Sequence, residues 1–134
     1  MGVLSTQEQT LLKTQVKALA SMATLGPQGE PHNSPLWFEW DGTYIKFSLT
    51  STRQKFRNVQ RDPRVALSII DPNDSYHYLE IRGKVARIED DTDTTFVNTL
   101  ARKYLGTDAP ENVLKEQRIT VYVLPQRIFS VLAR

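Results

Sequence analysis

The alternation of apolar and polar residues predicts that most of this chain forms β-strands joined by short turns. The clearest alternation runs through residues 44–49, where Ile45, Phe47 and Leu49 would share one face of a strand. Similar segments recur along the chain, bounded by Gly, Pro, Asn or Asp. We predict strands at residues 21–25, 31–40, 44–49, 65–70, 76–88, 119–124 and 127–132.

Apolar residues at helical spacing predict a small number of helices between these strands. Ser5 and Glu8 have the spacing of a capping box, and the apolar residues after them predict a helix over residues 5–19. Three hydroxyl residues precede a predicted short helix over residues 53–60. A third helix is predicted over residues 96–105, with a glycine directly after it as a stop signal.

Many antiparallel strands with few helices indicate a mainly β protein that curls into a small barrel, because closure removes exposed strand edges. Gly83, in the middle of the longest predicted strand, indicates a bulge or bend in such a sheet. A parallel nucleotide-binding sheet would alternate strands and helices, so the order of elements argues against it. The chain shows no repeat, linker or low-complexity segment, and we predict a single domain over residues 1–134.

Composition narrows the classes of function. The 134 residues are 40% hydrophobic and 24% charged, which suits one globular domain. The net charge of only +2 argues against a nucleic-acid partner. The absence of cysteine, with only two histidines, argues against a metal site. No apolar run approaches the roughly 20 residues of a membrane span, and residues 1–9 lack a signal-peptide core, so we expect a cytoplasmic protein.

The most informative chemistry lies in residues 48–58, where a strand ends and a helix begins. Arg53 and Lys55 would lie in the first helical turn, next to the positive end of the helix dipole. A bound phosphate would resolve this conflict, because backbone N–H groups, hydroxyls such as those of Ser48 and Thr50, and two cations would converge on it. A solvated basic helix with a hydroxyl cap explains the pattern equally well, so both interpretations stay open here.

Aromatic residues in two predicted strands are candidates for contacts to a flat ligand. Pro35 removes a backbone donor, so the strand from Ser34 to Trp37 can offer main-chain groups and an indole to a ring. Core packing is the favoured interpretation of such aromatic residues. Tyr76 can stack on a ligand or pack across strands. His77 is expected to be packed or hydrogen-bonded rather than to act as a catalytic base.

Several ordered segments resemble the split-barrel flavoproteins related to pyridoxamine 5'-phosphate oxidase, and more narrowly their branch dependent on the deazaflavin coenzyme F420. The resemblance covers the chain from about residue 19 to residue 134. The matching segments are ATL at 23–25, GEPH at 29–32, SPLWF at 34–38, RQKFRNV at 53–59, RDPRVA at 61–66, Gly83, and LPQRI at 124–128.

The resemblance implies a six-stranded antiparallel split β-barrel that forms a homodimer with cofactor sites at the interface. It implies that the cofactor phosphate is bound by Ser48, Thr50, Arg53 and Lys55. It implies that the ring system lies along Ser34, Pro35, Leu36 and Trp37. Tyr76 matches a position from which the other subunit covers the cofactor, and Asn58 belongs to the same pattern with no assigned role.

These features predict an oxidoreductase that uses reduced coenzyme F420 to transfer a hydride to a small organic acceptor. The cofactor would supply the reactive atom and the protein its position and surroundings. Tyr76 is a weak candidate for the proton donor. The alternatives are an FMN-dependent oxidoreductase of the same fold, a cofactor carrier without turnover and, less favoured, a small nucleic-acid-binding barrel. The sequence does not name the acceptor.

Overall fold

The computed structural model describes residues 4–131. The predicted domain bounds at residues 1 and 134, and the predicted strand end at residue 132, lie outside them. The elements in chain order are α1 (Thr6–Gln9), a 3₁₀ turn (Thr10–Leu12), β1 (Ala20–Leu25), β2 (Pro31–Leu36), β3 (Glu39–Trp40), β4 (Ile45–Thr50), α2 (Gln54–Arg61), β5 (Arg64–Asp71), β6 (Asp74–Asp90), α3 (Thr95–Leu105), α4 (Glu111–Leu114) and β7 (Arg118–Val131).

All seven strands within residues 4–131 belong to one antiparallel sheet, in the order β2-β1-β5-β6-β7-β4-β3. One face of the sheet carries the hydrophobic core, which includes Ile45, Phe47 and Leu49 of the alternating segment. Phe38, at the break between β2 and β3, is also fully buried in that core. Alternation along the strands therefore identified the buried face correctly.

The predicted helix over residues 5–19 is wrong in extent, since α1 and the 3₁₀ turn end at Leu12. The capping box of Ser5 and Glu8 is present. Leu11 and Leu12 are both buried, whereas Leu19 is 48% exposed. The apolar spacing therefore does not describe one core-facing stripe, and the segment reaches the sheet without continuing the helix.

Strand boundaries differ from the prediction at one break and at one proline. The predicted strand 31–40 divides at Trp37 and Phe38, which adds the two-residue strand β3, so the sheet has seven strands where the resemblance implied six. The predicted strands 119–124 and 127–132 are one continuous strand, because Pro125 pairs with Gly83 where the register shifts. A bulge tolerates a residue without an N–H group.

Gly83 stands at the close approach of β6 and β7. A Cβ atom there would lie 2.6 Å from the backbone oxygen of Leu124, so any other residue would push the two strands apart. The predicted bulge at Gly83 is confirmed by the register shift between Arg82 and Gly83. The end strands of the sheet, β2 and β3, do not pair with each other among the described residues, so the barrel is not closed by hydrogen bonds.

Helices α2 and α3 follow the prediction within a residue at each end, whereas the four-residue helix α4 was not predicted. At the start of α3, the Asp91 carboxylate accepts hydrogen bonds from the N–H groups of Phe96 (3.0 Å) and Val97 (2.9 Å). Gly106 ends α3 in the left-handed conformation, with φ of 79°. Within residues 4–131, no helix has both the length and the apolar character that crossing a membrane requires.

Candidate functional site

An open pocket of about 570 Å³ lies where the ends of β2 and β4 meet the starts of α2 and β7. This volume is in the range of small-molecule sites. Helices α3 and α4 supply its apolar side through Val97, Leu100 and Val113. The predicted site residues that line it are Ser34, Pro35, Leu36, Trp37, Ser48, Thr50, Arg53 and Lys55.

Three cations converge on the polar end of this pocket. The Lys55 ammonium donates a hydrogen bond to Ser34 Oγ at 2.8 Å. Arg118 Nε donates to Ser48 Oγ at 3.2 Å, so the guanidinium lies against the end of β4. Arg53 lines the same pocket from the residue directly before α2. Hydroxyl groups and cations are thus interleaved, as in sites for phosphate.

The electrostatics of this end favour an anion. Burial, and secondarily the charge of Arg53, lowers the pKa of Lys55. Burial also lowers the pKa of Arg118, with Arg53 again contributing, although Glu116 opposes that effect. Glu116 is the one carboxylate among the described residues that line the pocket, and its Oε1 lies 3.6 Å from Arg118 Nη1. The pocket therefore carries an excess of positive charge that its own acids do not neutralise.

The start of α2 does not have the hydroxyl cap of the plainer interpretation. Its N-cap residue is Arg53, whose side chain makes no capping hydrogen bond, and the first turn contains no acid. Thr50 is buried and its hydroxyl lies 3.3 Å from that of Thr52. The cations of this turn are therefore uncompensated by local capping, which favours the phosphate interpretation.

The other end of the pocket is bounded by Trp37, between β2 and β3. Its indole stacks on the Tyr104 ring of α3, with centroids 5.1 Å apart and planes at 5°. Trp37 also packs against the small cluster of Val97, Ala101 and Ala109. The two interpretations of Trp37 are thus compatible, because one face packs on the helix while the side chain still lines the pocket.

Two predicted site residues do not line the pocket. Asn58 lies on the buried side of α2, where its Nδ2 donates to Thr24 Oγ1 at 3.0 Å and its Oδ1 accepts from Gln54 Nε2 at 2.8 Å. In this chain Asn58 ties α2 to β1. Tyr76 is 66% exposed at the start of β6, and a contact to the cofactor would require a second subunit.

Arg118 and the pocket residues of α3 and α4 were not predicted as site residues from the sequence. Arg118 comes from the far end of the chain and reaches the pocket because it pairs with Thr50 across β4 and β7. Arg118 directly precedes the strand predicted over residues 119–124, but only the pairing of strands places it in the pocket. His77, expected to be hydrogen-bonded, lies between Asp71 (3.6 Å) and Asp74 (3.2 Å) at the β5–β6 turn.

A family model described as pyridoxamine 5'-phosphate oxidase matches residues 8–131. The chain belongs to this family. A solved structure of an F420 reductase is 35% identical, has a TM-score of 0.83, and the match covers 95% of this chain and 98% of that protein. This member of the pyridoxamine 5'-phosphate oxidase family accordingly has the predicted mainly β, antiparallel, split-barrel-like fold.

A curated protein and a second solved structure are also similar to this family member. A 5a,11a-dehydrotetracycline/5a,11a-dehydrooxytetracycline reductase of Streptomyces rimosus is 38% identical over 69 residues, which are 48% of this chain and 47% of that protein. The match thus spans about half the length of the curated relative. A conserved protein of Mycobacterium tuberculosis is 21% identical with a TM-score of 0.75, over 96% of this chain and 86% of that protein, and shares the fold.

Proposed function

We propose that this chain is an oxidoreductase that binds reduced coenzyme F420 in the pocket between β2, β4 and α2 and reduces a small organic acceptor. The observation that carries the proposal is the convergence of Arg53, Lys55 and Arg118 on one end of a pocket whose other end is bounded by an indole. The likeness to an F420 reductase across nearly the whole of both chains supports it.

The residues present fit a phosphate-bearing ring cofactor. Burial of cations costs free energy unless an anion or hydrogen bonds compensate it. A phosphate beside Lys55 and Arg118 would supply that compensation, with the Ser48 hydroxyl as a further donor. The apolar lining from Leu36, Val97 and Leu100 suits the remainder of the cofactor.

The ring system is proposed to lie along Ser34 to Trp37. β2 is an end strand of the sheet, and it pairs only with β1 among the described residues. Alternate backbone groups on its outer edge are consequently free to bind a ligand. Bound there, a reduced deazaflavin would supply the hydride, and the chain's own contribution would be to hold the ring and exclude water.

A homodimer is part of the same proposal. The outer face of the sheet exposes the large apolar side chains of Ile70, Tyr76 and Phe129, at 48%, 66% and 58% of their surface. The strand register places these residues on one face, since Ile70 pairs with Tyr78 and Phe129 pairs with Glu80. Burial of this face against a second copy would bring Tyr76 towards the other subunit's pocket.

Binding and turnover experiments test the proposal separately. Purified protein is titrated with F420 and, separately, with FMN, and binding is followed by quenching of cofactor fluorescence. We expect tight binding of F420 and weak binding of FMN. The reverse order of affinities selects an FMN-dependent enzyme. If the protein binds neither cofactor, the proposal is contradicted.

Turnover distinguishes an enzyme from a carrier. Reduced F420 bound to the protein is mixed with quinones, enones, nitro compounds and tetrapyrroles, and its reoxidation is followed by absorbance. We expect at least one acceptor to accelerate reoxidation beyond the rate without protein. If F420 binds tightly and no acceptor is reduced, the protein is a carrier.

A further inference from the structure

The backbone break between β2 and β3 is held by side chains of α3. Trp37 and Phe38 leave the strand ladder at this point. The N–H group of Phe38 donates to Tyr104 Oη at 3.2 Å, and its carbonyl accepts from Lys103 Nζ at 2.9 Å. Two adjacent helix residues thus replace the strand partners that Phe38 lacks.

Tyr104 ties this break to a second segment and to the pocket. Its hydroxyl donates to the carbonyl of Ala18, just before β1, at 2.5 Å. Its ring lies parallel to the Trp37 indole. Burial raises the pKa of Tyr104 to about 12, so the phenol remains a donor at neutral pH. The hydroxyl and the ring of one residue therefore fix both the backbone and the side chain at the indole end of the pocket.

Lys103 is an unusual residue to find in this position. Only 1% of its side-chain surface is exposed, and its Nζ lies 4.2 Å from the centre of the Phe38 ring. Its partner Glu39 lies 3.6 Å away, and burial lowers the pKa of the ammonium. A buried cation is retained at a free-energy cost. Lys103 does not line the pocket, so phosphate binding does not explain its burial. Its hydrogen bond to the Phe38 carbonyl points instead to a structural role at the strand break.

We propose that Tyr104, supported by Lys103, is a positioning residue that sets the orientation of Trp37 and thereby the shape of the ring-binding end of the pocket. The inference rests on the proposed function for the identity of the ring. The same helix lines the pocket through Val97 and Leu100, which lie two turns and one turn before Tyr104, respectively. The ring end is therefore built on β2 and α3, and the phosphate end is built on β4, α2 and β7.

The first test follows Trp37 without any cofactor. The chain has two tryptophans, so Trp40→Phe leaves Trp37 as the only indole. In that background Tyr104→Phe removes the hydroxyl but keeps the ring. We expect the near-ultraviolet circular dichroism of Trp37 to fall and its quenching by acrylamide to rise about twofold, with far-ultraviolet dichroism unchanged. An unchanged Trp37 signal overturns the proposal.

The matched control is Tyr122→Phe. Tyr122 also donates its hydroxyl to the protein, to Glu89 Oε1 at 2.7 Å, but it does not line this pocket. We expect it to leave the Trp37 signals and the F420 dissociation constant unchanged. If the Trp40→Phe background unfolds, the near-ultraviolet spectra of Tyr104→Phe and Tyr122→Phe are compared in the natural sequence, where only the first should lose intensity.

The second test measures binding by a double-mutant cycle. We expect Tyr104→Phe to raise the dissociation constant of F420 about tenfold and that of inorganic phosphate less than twofold. In a Trp37→Leu background the same change should have almost no effect on F420, because Tyr104 acts through the indole. Additive effects, or equal losses for F420 and phosphate, overturn the proposal. If F420 and FMN both fail to bind, the proposed function fails, while the Trp37 signal still decides the positioning role.

Discussion

Lys55 of α2 donates a hydrogen bond to Ser34 Oγ of β2 at 2.8 Å, across the polar end of the pocket. The ion pairs among the described residues do not include Lys55. Burial and the neighbouring Arg53 both disfavour its positive charge, and its pKa is lowered. A group placed in this way gains free energy when an anion arrives, and this expectation can be tested directly.

Lys55→Ala should weaken F420 binding by about 1.5–3 kcal/mol, which is roughly ten- to a hundredfold in the dissociation constant. The melting temperature should stay nearly constant, because the variant loses the hydrogen bond to Ser34 but no longer bears the free-energy cost of desolvating the ammonium group. Arg57→Ala is the control, because Arg57 is a cation of the same helix that binds Thr52 and Gln54 instead of lining the pocket. Equal losses in both variants would indicate a general charge effect.

The pH dependence of binding should report the same lysine. An anion beside Lys55 raises its pKa, so F420 affinity should fall as pH rises through the pKa of Lys55 in the free protein, which lies below its ordinary value of 10.5. The free energy of unfolding of the cofactor-free protein should change in the opposite direction. It should increase as pH rises from the lowered pKa of Lys55 towards 10.5, because the unfolded chain binds the lysine proton more tightly. Lys55→Arg should flatten both profiles, and titrations between pH 7 and 10.5 measure them.

Glu116 and Arg118 should have opposite effects on anion binding. Glu116→Gln removes the carboxylate beside Arg118, so F420 affinity should rise about two- to fivefold, the range of a partly exposed ion pair. Arg118→Ala should lower it by about tenfold or more. Glu111→Gln, an exposed acid of α4 outside the pocket lining, should do neither. Isothermal titration at two salt concentrations checks whether the gain is electrostatic.

Local patterns in the sequence were sufficient to identify the core-facing side of the sheet and to group Ser48, Thr50, Arg53 and Lys55, which line one pocket. Alternation identified Ile45, Phe47 and Leu49 as core because each strand has only two faces. The conflict between cations and the helix dipole pointed to an anion because both effects act within one turn. These are interactions between neighbours in the chain.

Contacts between residues that are distant in the chain determine the features that the sequence did not predict. Arg118 enters the pocket through its pairing with Thr50, and Tyr104 reaches Trp37 through the packing of α3. Pro125 suggested a strand boundary because it has no N–H group to donate. The strand nevertheless continues, since Pro125 pairs with Gly83 at a bulge. The apolar spacing up to Leu19 suggested one helix, yet Leu19 ends up exposed beside the pocket. None of these outcomes is encoded in adjacent residues.

The exposed apolar face of the sheet should bury itself in a dimer. Light scattering at micromolar concentration should give twice the mass of the chain without any cofactor, because stable interfaces of this kind are large and apolar. Phe129→Glu places a charge on that face and should shift the mass towards the monomer. Leu105→Glu, at an exposed leucine at the end of α3, is the control and should remain dimeric. A monomeric natural chain would contradict the shared-site arrangement.

Tyr76 should affect cofactor affinity through its ring rather than its hydroxyl. In the proposed dimer this exposed side chain covers the other subunit's cofactor, so Tyr76→Ala should loosen F420 binding, and Tyr76→Phe should leave both binding and turnover nearly unchanged. If the hydroxyl does donate the proton, Tyr76→Phe should instead slow turnover by roughly 10²–10⁴-fold at unchanged affinity.

Stacking and proton donation are separated by measuring both variants in the same two assays. Fluorescence titration gives the F420 dissociation constant, and single-turnover reoxidation of bound reduced F420 gives the rate. Tyr44→Ala is the control, since Tyr44 packs edge-on against Tyr122 away from the pocket. Stacking requires that only Tyr76→Ala changes the dissociation constant. Because that contact crosses the interface, the loss should also disappear in Phe129→Glu protein under conditions where it is monomeric, and a loss that persists in the monomer would place Tyr76 outside the shared site.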